Sequence, residues 1–268
     1  MMIAGFDGWG NALNVSQGMV DYLIRKLKAS PFARINADLF YRYDQARPVA
    51  RIENGILKSL NTPGGALYSV HSARDLIVLS AAEPSLRWHQ FAETIIELCR
   101  NAGVTTLITL GSMFDHTLHT DRTISAIASS KDFFSGIRRF GIQNINYQGP
   151  SAIHTLIQHE AQLTGIDSAS IWCHCPFYLE DTTHFGMMVD LAGLLGDLGG
   201  FELDVRELES GWKALNKKIE MLIASSPKLQ EMLQEIRKTK REGARASVKA
   251  SMEKGDKVIN LRDFIDTT

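Results

Sequence analysis

The chain has 268 residues, 44% of them hydrophobic and 22% charged, with a net charge of −1 and a pI of about 6.7. That balance argues against a partner recognised by charge alone, such as nucleic acid or an anionic membrane. Three cysteines cannot pair completely, the start "MMIAGFDGWG" has no basic region ahead of an apolar run, and no apolar stretch approaches membrane-spanning length; the expected compartment is the cytoplasm.

Taken in chain order, Met2 to Phe6 reads as a strand, followed by the turn "DGWGN". From Ala12 to about Lys28 the apolar residues Val15, Met19, Tyr22, Leu23 and Leu27 recur at helical spacing. Ala33 to Phe40 alternates in part and is read as a strand. Short β-like pieces fill Arg47 to Val70, punctuated by "ENG" and "TPGG". Asp75 to Ala82 is a continuous apolar run, as in a strand buried on both faces. Leu86 to Ala102 predicts a helix that stops at Gly103, and Val104 to Leu110 a further buried strand. Ser151 to Leu163 is a helix, Ala169 to Cys173 a strand, and Thr182 to Leu198 a helix.

This alternation predicts an α/β fold, a mostly parallel sheet flanked by helices, over residues 1–204. In such sheets ligands bind beyond the carboxyl ends of the strands. The loops that matter are therefore Asp7 to Asn11, Ala82 to Arg87, Gly111 to Arg122, Gln148 to Ser151 and His174 to His184. Residues 205–242 form a C-terminal helical extension: Leu208, Trp212, Leu215, Ile219 and Leu222 make one seam, and Leu229, Leu233 and Ile236 continue it. Ser226 suits a helix N-cap and Pro227 a first helical position. The seam packs on the core or on another subunit. Residues 243–268 read as a charged linker with "VINLRDFI" docking after it.

Chemistry-bearing residues gather on the loops. Glu83, His116, His119, Ser151 and His174 are the candidates for catalysis. Asp7, Trp9, Glu83, Arg87, Asp115, His119, Gly149 and Ser151 are the candidates for lining a pocket. His116, His119 and His184 carry suitable nitrogen donors, but the spacing is not that of a helical zinc motif and no metal is assigned. Glu83 is a general base or an acceptor for the helix N-terminus that follows it. Ser151 before a helix is an N-cap or part of an anion site. Cys173 and Cys175 share one face of a strand and read as small buried residues. There is no G-x-S-x-G elbow, no P-loop and no G-x-G-x-x-G, so no cofactor is assigned.

The segments "AGFDGWGNALNVSQGMVDYL", "AAEPSLRWHQFAETIIELC", "LGSMFDHTLHTDR", "YQGPSAIHTLI" and "ASIWCHCPFYLE" together resemble, in order, the proteasome assembly chaperone 2 family over roughly residues 1–240. The resemblance implies a phosphorylase/hydrolase-like α/β core with a helical C-terminal part, homo- or hetero-oligomers, and, in eukaryotic and archaeal members, binding to proteasome α subunits. Some prokaryotic relatives carry an ATP-grasp label; no glycine-rich phosphate loop with a lysine accompanies it here. The chain departs from the family at His119-Thr120-Asp121-Arg122-Thr123, where "HTRP" is usual. It departs again at "EDTTHFG", where asparagine-proline is usual, and it ends "DFIDTT", where archaeal proteasome-binding relatives carry a hydrophobic-tyrosine-X tail. Two functions are expected from this. The first is a non-enzymatic, homo-oligomeric protein that binds a protein partner. The alternative is a small-molecule hydrolase or phosphorylase-like enzyme, with or without a metal.

Overall fold

A computed structural model of the chain describes residues 1–71 and 75–241. An eight-stranded sheet forms its centre, in the order β2-β5-β6-β1-β7-β10-β8-β9. The strands are β1 (Met2–Asp7), β2 (Ser30–Arg34), β5 (Gly65–Val70), β6 (Leu76–Ala82), β7 (Thr106–Asp115), β8 (Ile124–Ala128), β9 (Gln143–Asn144) and β10 (Asp167–Pro176). The hairpin β3 (Val49–Glu53) and β4 (Ile56–Asn61) is a separate two-stranded sheet. At the centre β6, β1, β7 and β10 run parallel, while β5, β2 and β8 pair antiparallel towards the edges.

Helices cover both faces. The chain contributes α1 (Val15–Lys26), α2 (Ala37–Phe40), α3 (Trp88–Asn101), α4 (Lys131–Arg138), α5 (Ile153–Thr164), α6 (Phe185–Gly199), α7 (Arg206–Ser225) and α8 (Pro227–Arg241). Ile95 and Phe91 of α3, and Ile153 and Ile157 of α5, pack on one face with Met2, Ala4 and Phe6 of β1. Met19 and Leu23 of α1 and Met187 and Leu191 of α6 cover the other face with Ile3 and Ile108. Alternate residues of β1 thus enter opposite cores, as the strand period requires. The apolar seam of α7 and α8, namely Leu208, Leu215, Ile219, Leu229, Leu233 and Ile236, is buried in the cluster that holds α6. As expected, Ser226 caps α8: its hydroxyl accepts from Leu229 N at 3.3 Å.

Several expectations are corrected. Ala33 to Phe40 is only partly strand: β2 ends at Arg34, and the Asn36 side chain accepts from Asp38 N to start α2. The strand expected over Val104 to Leu110 continues to Asp115, because β10 pairs with it along its whole length. The first five residues of the loop expected from Gly111 to Arg122 are therefore sheet. The expectations for β8, α4 and β9 are missing altogether; these elements fill the sheet's far edge. Helix α5 starts at Ile153, and Ala152 rather than Ser151 occupies the capping position. The expected tail, residues 243–268, lies outside the described residues, as does residue 242 of the expected helical extension.

Candidate functional site

The parallel strands β6, β1, β7 and β10 all end at one edge, at Ala82, Asp7, Asp115 and Pro176. Glu83 ties three of the segments that meet there. Its backbone N donates to Asp7 O at 2.7 Å. One carboxylate oxygen, Oε1, accepts from Ile153 N at 2.9 Å, and the other, Oε2, accepts from Trp9 N at 3.3 Å. A carboxylate is well placed at the N-terminus of α5, where backbone donors lack partners. Gly8 makes the approach feasible: it sits at φ +139°, and a Cβ there would lie 2.8 Å from Glu83 Cβ. Glu83 does interact with a helix N-terminus, but with that of α5 rather than the helix that follows it in sequence.

Beside this clamp runs a chain of polar groups. Asp115 Oδ2 accepts from His174 Nδ1 at 2.7 Å, and His174 Nε2 lies 2.8 Å from Ser125 Oγ. The imidazole thus bridges the Asp115 carboxylate and the Ser125 hydroxyl through its two nitrogens. Burial pushes the Asp115 carboxyl up, but the His174 hydrogen bond and charge and the His116 backbone N–H outweigh it, holding the group below its usual range. The connectivity is that of a serine-hydrolase triad. Ser125, however, is 0% exposed near the start of β8, paired with Trp172 of β10. A nucleophilic oxygen needs a path to its substrate, and this one has none in the present arrangement. Asp115 also fixes the loops around it: its Oδ1 accepts from His116 N at 2.7 Å, and its backbone O accepts from Phe177 N.

The three histidines that carry suitable metal donors go to separate tasks. His116 packs its ring against Phe177, with centroids 4.6 Å apart. His119 is buried; the Tyr178 hydroxyl lies 2.7 Å from its backbone N and 2.8 Å from its Nδ1. His184 caps α6, accepting from Met187 N, and stacks on Trp212 at 5.1 Å. On that indole also rests the Arg122 guanidinium, 4.4 Å from the ring centroid and ion-paired with Asp190 at 3.2 Å. Among the described residues no three His, Cys, Asp or Glu side chains gather as a metal would need. Cys173 and Cys175 are fully buried, and burial pushes both thiols up, away from nucleophilic thiolate.

A cleft of about 510 Å³ opens at the same edge, lined by Asp7, Asn11, Leu13, Asn14, Phe114, Glu180, Asp181, Thr182 and Thr183. Of the expected pocket residues only Asp7 lines it. Trp9, on the adjoining loop, is 55% exposed, and Phe114 is 43% exposed. Ser151 and Arg87 are exposed, and Gly149 packs against the Tyr147 hydroxyl. Ser125 and Asn14 escaped the reading of the sequence, whereas Asn11 and the Glu180–Thr183 stretch lie in two of the loops it singled out, without being named as pocket residues. Ser125 lies in an unrecognised strand, and the other residues belong to no motif.

A family model described as PAC2 family matches residues 2–223. Comparison with curated proteins gives no match. Among solved structures the chain is similar to a PAC2 family protein from Streptomyces avermitilis, with 25% identity, a TM-score of 0.77, and coverage of 87% of this chain and 98% of that one. It is similar also to a proteasome-assembly chaperone homologue from Mycobacterium tuberculosis, with 26% identity, a TM-score of 0.77, and coverage of 87% and 99%. An archaeal proteasome activator from Pyrococcus furiosus shares the fold at 16% identity, with a TM-score of 0.63 and coverage of 82% and 92%.

Proposed function

The chain belongs to the PAC2 family, and on that premise we propose that it is a non-enzymatic, assembly-chaperone-like protein that binds a polypeptide client at the carboxyl edge of its sheet. The observation that carries this reading is the aromatic rim: Trp9 and Phe114 stand exposed beside a polar cleft, while the polar groups behind them are engaged with one another. Exposed aromatics set around a concave site are what polypeptide hot spots use. The description of the Mycobacterium tuberculosis relative as a proteasome-assembly chaperone homologue supports the same class. We further place the protein in the cytoplasm as a homo-oligomer. Three free, buried cysteines fit a reducing compartment, and no helix among the described residues is long and apolar enough to cross a membrane.

The test is capture of the client by tagged protein in its own cells. The double variant Trp9→Ala, Phe114→Ala is expected to lose client by about tenfold or more, with its thermal midpoint unchanged within a few degrees. Undiminished capture would contradict the reading. A second reading, a serine hydrolase, is favoured by one observation, the 2.8 and 2.7 Å spacings of Ser125, His174 and Asp115. A fluorophosphonate probe separates the two: the binding-protein reading expects no label on Ser125, and stoichiometric label would establish the hydrolase.

A further inference from the structure

One wall of the cleft, Glu180 to Thr183, is chain that lies between β10 and α6. Two hydrogen bonds hold its end to the segment that leads into α1. Asn14 Nδ2 donates to Thr183 Oγ1 at 3.3 Å, and His184 N donates to Leu13 O at 3.0 Å. Its other support is α7. The His184 ring lies 5.1 Å from the Trp212 indole and within 10° of parallel to it. Gly211, just before Trp212, brings the helix down on Phe185, just after His184: a Cβ on Gly211 would lie 3.0 Å from the Phe185 ring. Glycine is a poor helix former, so its place in the second turn of α7 serves this contact rather than the helix. No residue of α7 lines the cleft itself, so the helix reaches it through the wall.

We infer that α7 is a strap that sets the shape of the cleft, with Trp212 as the positioning residue. While Gly211 and Trp212 are docked, His184 and Phe185 are fixed, and the Glu180–Thr183 wall keeps its place against the other lining residues. When α7 lifts, the wall is left with the two bonds to Leu13 and Asn14. The ties that keep α7 and α8 down lie outside the cleft. Glu207 pairs with Arg25 at 2.7 Å and with Lys26 at 3.2 Å, and Lys240 of α8 pairs with Asp121. Ion pairs at a surface hold weakly, so the strap depends on its apolar seam, Leu208, Leu215 and Ile219, and on the Trp212 stack. Linkage makes the effect reciprocal: an occupant that favours the ordered wall also holds α7 down.

The inference rests on the proposed function in taking the cleft edge as the client site. Hydrogen exchange of the full chain, read by mass spectrometry, tests the strap without a client. Trp212→Ala is expected to speed exchange in the peptide that spans Glu180 to His184 by about tenfold or more, while exchange in β6, which reports global opening, stays unchanged. Trp212→Phe keeps a ring for His184 to stack on and is expected to restore protection. Gly211→Val leaves the indole in place but pushes on Phe185, and it is expected to act as Trp212→Ala does. Client capture is expected to fall in the same order, with the phenylalanine variant close to wild type. Unchanged protection of the wall, or a loss that spreads to β6, would overturn the strap. So would a loosened wall with undiminished capture, where the variant Trp9→Ala, Phe114→Ala still loses the client. Undiminished capture by that double variant as well would overturn the client reading, and with it the strap's control of the client.

Discussion

His154 shows how a single side chain couples this fold to pH. Its Nε2 donates to Leu110 O at 2.7 Å, its Nδ1 has no partner, and burial holds its pKa down to about 4. His184 is held down to about 3, by burial first and then by Arg122, and His119 is lowered by burial. The unfolded chain takes up a proton on each below its ordinary pKa, while the folded chain does not. Acid therefore favours unfolding, from about pH 6.5 downward. His154 alone makes the fold about 3 kcal/mol less stable at pH 4 than at pH 7. Denaturant titrations across that range are expected to show it, and His154→Gln, which keeps a donor for Leu110 O, should remove about one proton from the slope. An unaltered slope would show that His154 titrates normally in the fold. None of this was legible in the sequence, where eight histidines look alike; only tertiary burial tells His154 and His184 from His89 on an exposed helical turn.

At the scale of elements, legibility followed periodicity. The helical repeats of α1, α3 and α7, the capping pair Ser226–Pro227 and the stop at Gly103, at φ +65°, were all readable because local spacing alone decides them. The end of β7 was not readable. "GSMFD" has the composition of a loop, and it is strand because Trp172 to Pro176 of β10 supplies its hydrogen bonds. Gly111 within it allows the Trp172 ring to approach where a Cβ would meet it at 2.8 Å, a contact between residues 61 positions apart. That missed extension is also why Asp115 was assigned to a loop, while Ser125, on the far side of His174, was overlooked because β8 itself went unrecognised. The α7–α8 seam left a choice between core and another subunit, and the structure buries it within the chain. Leu233, 1% exposed, is expected to cost about 2–5 kcal/mol when replaced by alanine. Chemical denaturation reads this directly; a loss near zero would mean that α8 is not docked in solution.

On the scale of the whole molecule, the parallel centre of the sheet brings four strand ends to one edge, and the loops beyond them are pinned by their own side chains. Glu83 joins the β1 and β6 loops to α5, and Asp115 and His174 join β7 to β10. Such a scaffold holds Trp9 and Phe114 outward without spending either on the core. The fold class and the family were readable from ordered segments of sequence; the division of labour between pinned polar groups and free aromatics was not, because it depends on which side chains meet across the edge. That division is the central claim. The most direct measurement puts benzoylphenylalanine at position 9 of the protein in its own cells, irradiates, and identifies the adduct by mass spectrometry. A single polypeptide adduct is expected from position 9, and none from position 163, where Leu163 is 69% exposed near the end of α5. No polypeptide adduct at position 9, or the same adducts from both positions, would contradict a client-binding edge.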